Sequence, residues 1–194
     1  NDSNDGGIVL GKTRATSTGG NTVVQAGDDL GNLTFAGNDG STMLFGAEIF
    51  AEVESGVGND DMPAALVFKT NSGTTSTTER LRITSSGNLG LGINAPTAAS
   101  SETALHIYAN EYPEVHLTSS VTGSNAGDGS IFTLNNDSST IIRNQENSYI
   151  RFDTNGSNER MRIHAGGTVN IPSGITLGSA ISSTAAANTL DDYE

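Results

Sequence analysis

Glu79-Arg80-Leu81-Arg82-Ile83 returns 80 positions later as Glu159-Arg160-Met161-Arg162-Ile163. Each copy follows a small polar loop, Asn71-Ser72-Gly73-Thr74 before the first and Asn155-Gly156-Ser157-Asn158 before the second. Each is followed by a turn and a short apolar run: Thr84 to Asn88, then Leu89-Gly90-Leu91-Gly92-Ile93, and His164 to Thr168, then Val169-Asn170-Ile171. Of the 7 arginines in the chain, 4 sit in these two phrases. A scarce residue placed this way marks an internal repeat.

In an extended chain, side chains alternate between two faces. Leu81 and Ile83 then share one face and Arg80 and Arg82 the other, and Met161 and Ile163 stand likewise against Arg160 and Arg162. Glu79 has the parity of Leu81, so its partner is expected on a neighbouring strand or subunit. An anion-binding arginine ladder and a structural ion-pair ladder of Glu79, Arg80, Arg82, Glu159, Arg160 and Arg162 both fit this pattern. The structural reading is preferred, because arginine forks mostly serve carboxylate and backbone pairing.

The 194-residue chain holds 41 Leu, Ile, Val and Phe residues against 88 Gly, Ser, Thr and Asn, a poor supply for a self-sufficient core. Phased hydrophobics in a repeat argue against disorder. The expectation is a turn-dense β structure whose small cores are completed by other chains. A net charge of −13 and a pI near 4.4 disfavour nucleic acid and anionic membrane surfaces as partners. Solubility outside a cell, or weak calcium binding, suits that charge better. There is no cysteine, hence no disulfide framework or thiol chemistry. No apolar run approaches the roughly 20 residues of a membrane span, and no signal peptide opens the chain. Without an initiator Met, the chain reads as a fragment or a processed product.

Strands are expected at Ile8-Val9-Leu10, around Leu33 and Phe35, over 43–53, over 66–70 and through each Glu-Arg phrase, with a strong turn at Gly37-Asn38-Asp39-Gly40. Ala126-Gly127-Asp128 echoes Ala26-Gly27-Asp28, and Asn135-Asn136-Asp137-Ser138 echoes the turn at 37–40. That gives a first β repeat at 1–95, a linker at 96–104, a second β repeat at 105–171 and a C-terminal stem at 172–194, with a weak helical tendency over 179–190. The early offset of 100 against the later 80 implies about twenty extra residues in the first repeat, expected around 54–63.

The run from Thr78 to Pro96, Thr-Glu-Arg-Leu-Arg-Ile-Thr-Ser-Ser-Gly-Asn-Leu-Gly-Leu-Gly-Ile-Asn-Ala-Pro, resembles a module common in the shafts of bacteriophage tail fibres and tailspikes. The family form reads roughly T-E-R-M-R-I-x-S-x-G-N-V-G-I-G-T-x-x-P. The second copy departs further, with His164-Ala165-Gly166-Gly167 at the turn and Asn170 where glycine is usual. Residues 187–194 also resemble a segment found late in such fibre proteins. The resemblance implies an all-β, elongated, intertwined homotrimer of short, mostly antiparallel strands on the outside of a virion. Its function would be structural and adhesive, attaching the virion tail to the host surface, with two identical chains and a host cell-surface glycan as partners. The readings set against it are a polysaccharide-degrading tailspike and a bacterial extracellular filament protein.

Other chemistry is thinly represented. His106, His116 and His164 are far apart, so a metal would need three copies of one histidine on an axis. A solvated or backbone-bonded histidine is preferred, and no metal or cofactor is expected. Acid pairs Asp28/Asp29, Glu52/Glu54 and Asp60/Asp61 suit turns better than glycoside cleavage, and with no Trp to line a sugar cleft the chain is read as a non-enzyme. No Gly-Lys-Ser/Thr phosphate loop occurs. Tyr108, Tyr112 and Tyr149 offer flat faces and hydroxyls suited to saccharide contact, or equally to packing.

Overall fold

A computed structural model describes residues 6–99 and 102–175, which contain strands, turns and irregular segments and no helix. The weak helix expected over 179–190, the resemblance over 187–194 and most of the stem lie outside these residues; 172–173 form a turn. The chain divides into two compact units, residues 1–113 and 114–194.

The first unit is one six-stranded sheet, built in chain order from β1 (Asp29–Asn38), β2 (Met43–Val53), β3 (Ala64–Thr70), β4 (Thr78–Ile83), β5 (Leu89–Leu91) and β6 (Leu105–Ile107). Neighbours pair antiparallel except β5 and β6, which run parallel with Leu89 opposite Leu105. The sequence reading opens the second repeat at residue 105, whereas β6 is hydrogen-bonded into the first sheet. The strands are not all short either: β1 and β2 run 10 and 11 residues.

Paired residues point to the same side of a sheet. One row runs Phe50, Val67, Arg82, Gly90, His106, and the next runs Ala51, Leu66, Ile83, Leu89, Leu105. The first row belongs to the face that holds the core cluster Phe50, Ala65 and Val67, with the Lys69 ammonium 4.5 Å above the Phe50 ring. The opposite face is uncharged and mostly apolar; Val53 is buried on it, yet Leu33, Phe35, Leu66, Ile83, Leu91 and Leu105 are all exposed.

The second unit has two three-stranded antiparallel sheets. One is β7 (Glu114–Leu117), β8 (Ser130–Leu134) and β9 (Thr140–Asn144); the other is β10 (Ile150–Thr154), β11 (Asn158–Ile163) and β12 (Val169–Asn170). Each again has a bare apolar side. Val115, Phe132 and Ile142 stand in one exposed row of the first sheet, while Phe152 and Val169 are exposed in the second.

The repeat is visible in the registers. Arg82 faces Gly90 and Ile83 faces Leu89 in the first unit, as Arg162 faces Asn170 and Ile163 faces Val169 in the second. The turns between these strands match too. Gly87 N–H donates to the Thr84 carbonyl at 2.9 Å and Gly167 N–H to the His164 carbonyl at 2.8 Å, with φ of 85° and 86°, a left-handed conformation that glycine alone adopts without penalty. The extra residues of the first copy are not concentrated at 54–63. They are shared between that loop, the longer 71–77 loop and a β2 of 11 residues against a β9 of 5. β2 uses both of its edges, pairing with β1 through 43–52 and with β3 through 47–53, so both hairpins fuse into one sheet, whereas β9 and β10 belong to separate sheets.

Candidate functional site

Both Glu-Arg phrases sit on the second strand of a hairpin with a bulge at the same place. Phe68 faces Leu81 and Lys69 faces Glu79, so Arg80 is the extra residue; Phe152 faces Met161 and Asp153 faces Glu159, so Arg160 is. A bulge shifts the alternation by one position. Glu79 therefore lies on the face of Arg82, three residues along its own strand. This corrects the expectation from simple parity, which placed the partner of Glu79 on another strand or subunit.

Arg82 is buried in the first unit, with 6% of its surface exposed. Its Nε donates to Glu79 Oε1 at 2.9 Å and its Nη2 to Glu79 Oε2 at 3.0 Å, a two-pronged fork. Nη1 and Nη2 both donate to Glu52 Oε1 at 3.0 Å, reaching across β3 to β2. The Glu79 bonds chiefly, and Glu52 after them, hold the guanidinium proton far more tightly than usual. The bulged Arg80 turns outward and donates from Nε to Thr70 Oγ1 at 3.1 Å, tying the strand to the start of the loop. That loop is itself closed by Asn71, whose side-chain oxygen accepts from the Gly73 and Thr74 amides at 2.8 Å.

The second copy repeats the fork with different surroundings. Arg162 Nε donates to Glu159 Oε1 at 3.0 Å and Nη2 pairs with Glu159 Oε2. Arg160 Nε donates to Thr154 Oγ1 at 2.7 Å, the counterpart of Arg80 on Thr70. No carboxylate stands where Glu52 stands. Instead the Tyr149 ring lies 4.1 Å from the guanidinium carbon of Arg162, a cation–π contact. Arg162 keeps about a quarter of its side chain exposed, and Arg151 pairs with Asp153 beside it at 2.7 Å. Arg162 lowers the proton affinity of Glu159, and Glu159 raises that of Arg162. Chemically, both arrangements satisfy charge locally and leave few donors facing outward.

The other candidates separate. Tyr108 is half-exposed at the side of an open groove of about 410 Å³ that Thr78, Glu79, Gly92, Ile93 and Asn94 also line. Tyr112 is exposed in the same unit. Tyr149, in the other unit, has one ring face taken by Arg162. His106 Nδ1 accepts from the Thr97 amide at 3.3 Å, and His116 Nε2 lies 2.6 Å from the Asp128 carbonyl oxygen. Glu54 holds the Ser85 amide at 3.0 Å, and Asp60 and Asp61 belong to a local bridge with Gly58. Among the described residues no cluster of three or more His, Asp or Glu side chains is placed to hold a metal ion.

One site escaped the sequence reading. Asp28, largely buried, takes Lys12 Nζ at 3.0 Å, Arg14 Nε at 2.6 Å and Nη2 at 2.9 Å, and the Gln25 amide at 2.9 Å. Arg14 first, then the Gln25 amide and Lys12, hold its carboxyl far below the usual range. The only signal was the Ala-Gly-Asp echo: Asp128 likewise accepts the Asn125 amide at 2.8 Å, but with no basic partner.

No protein-family profile matches the chain, and no curated protein sequence does. Among solved structures, the carboxy-terminal domain of the bacteriophage T5 L-shaped tail fibre aligns over 100% of this chain and 98% of its own, at 13% identity and a TM-score of 0.39. The same domain with its intramolecular chaperone aligns over 100% of this chain and 68% of its own, again at 13% and 0.39. Both likenesses are loose.

Proposed function

We propose that this chain is a structural and adhesive segment of a phage tail fibre, working as a homotrimer in the virion tail and without catalysis. The observation that carries the reading is the bare apolar face of every sheet. Leu33, Leu66, Leu91 and Leu105 in the first unit, and Phe132, Ile142 and Phe152 in the second, are exposed on one side only, the arrangement of half a core. Besides Pro96, the buried apolar side chains among the described residues are only Val24, Phe50, Val53, Ala65, Val67 and Ile131. Continuous apolar surface of this kind marks an interface, and identical chains meeting around an axis close it without a foreign partner. The sequence resemblance of 78–96 to fibre shafts supplies the context.

Attachment would then arise from three copies of one weak contact, whose avidity exceeds any single affinity. The groove beside Tyr108 is the candidate for a host-surface glycan, with a tyrosine face, the Asn94 amide and the Thr78 hydroxyl to meet sugar hydroxyls. Light scattering with small-angle X-ray scattering on the 194-residue chain tests the assembly. The expected result is a rod with the mass of three chains; a compact monomer overturns it.

A further inference from the structure

Residues 6–11, Gly-Gly-Ile-Val-Leu-Gly, lie outside any sheet, and within the described residues no hydrogen bond holds their backbone. Ile8 and Val9 are each 92% exposed. Yet the segment is anchored at its C-terminal end. Lys12 and Arg14 are clamped by Asp28, and the Arg14 amide donates to the Thr22 carbonyl at 3.1 Å. Leu10 sits directly on Gly31, where a Cβ would collide with the Leu10 side chain. Gly31 has the parity of Leu33 and pairs with Ala51, so Leu10 rests on the bare apolar face, at the small-residue end of the row that continues through Leu66 and Ile83.

We infer that residues 6–11 are an exchanged arm whose Ile8 and Val9 pack on the apolar face of a second copy of this chain. The inference rests on the oligomeric reading above and names one of its contacts. Two observations favour a second copy as occupant. Each chain carries both halves of the contact, an apolar arm and an uncharged apolar face, so an exchange between copies needs no foreign partner. The arm also leaves its own sheet from that same face, with Leu10 on Gly31 as the pivot.

The absence of cysteine makes the test direct. A chain with Val9→Cys is co-assembled with a size-tagged chain carrying Cys at Leu33, Leu66 or Leu105, and mild oxidation is followed on a non-reducing gel. A mixed disulfide-linked dimer is expected with at least one of the three positions. Deletion of residues 1–11, and separately Gly31→Val, which displaces the Leu10 pivot while leaving the sequence of the arm unchanged, should each weaken assembly about tenfold or more in the protein concentration needed. Circular dichroism should still report the wild-type strand content for both. If the wild-type chain is oligomeric but neither variant changes assembly and no mixed dimer forms, the arm is overturned and the oligomer stands. If the wild-type chain is a monomer, the oligomeric reading itself falls and takes the arm with it.

Discussion

The two Glu-Arg hairpins share sequence, bulge, turn and register, yet Arg82 is buried between two carboxylates and Arg162 is part-exposed between a carboxylate and a tyrosine ring. The phrase itself does not cause the difference. It comes from a strand that begins more than 30 residues earlier: β2 pairs with β3 and brings Glu52 across to Arg82, while β9 is not in the sheet of the second hairpin. A guanidinium with two carboxylates can be taken out of water, because every charge finds a partner in a place where charge interactions are strong. With one carboxylate, part of the guanidinium stays in water or against an aromatic face. The same short sequence thus supports two energetic situations.

Truncation should separate them most sharply. Arg82→Ala leaves Glu79 and Glu52 facing each other without a cation and should destabilise the chain by about 2 kcal/mol. Arg162→Ala should displace the unfolding midpoint several-fold less, since water already reaches its fork. Urea unfolding at fixed protein concentration measures both, and equal losses would break the comparison. Glu52→Gln should move the Arg82 hairpin toward the behaviour of the second copy.

A smaller and equal effect is expected where the copies match. Gly87→Ala and Gly167→Ala both force a side chain into the left-handed region and should each cost about 1 kcal/mol. Thermal unfolding of the two variants would show unequal losses if the turns were not equivalent.

Acid should act mainly through the carboxylates whose proton affinity folding lowers: Asp28 through Arg14, Asp39 through the Thr42 amide, Asp137 through the Ser139 hydroxyl and Glu159 through Arg162. A carboxyl with a depressed folded pKa stabilises the fold above its unfolded pKa and loses that contribution as pH falls toward the folded one. Unfolding midpoints should therefore hold from neutral pH to about 5 and decline below about 4. Asp28→Asn should flatten part of that decline, and an unchanged profile in this variant would remove Asp28 from the account. The smallest effect belongs to the bulged residues. Arg80→Ala and Arg160→Ala each delete one exposed bond to a threonine hydroxyl, and chemical denaturation should find less than about 0.5 kcal/mol for either.

Much of this was legible along the chain. Alternation located the strands around Leu33 and Phe35, over 43–53 and 66–70 and through both Glu-Arg phrases, and the Asp39 and Asp137 turns were visible as polar clusters, whereas the strand expected at Ile8-Val9-Leu10 does not form, that run lying outside every sheet. Local chemistry decides such features, because side-chain parity and turn propensity act over a few residues. The bulge was not legible: whether Arg80 pairs or protrudes depends on the register of β3 against β4, and so does the face on which Glu79 emerges. Nor could the Asp28 clamp be read, since Lys12 and Arg14 look like any solvated bases until the chain returns to them.

By itself, then, the sequence determined a β-rich, turn-dense chain with two related hairpins and a low share of apolar residues, because composition and period are properties of neighbours in sequence. Only the tertiary structure decided which arginine is buried, which carboxylates serve it, and that the apolar sides of the sheets lie bare. Those follow from strand pairing and register, which bring together residues tens of positions apart.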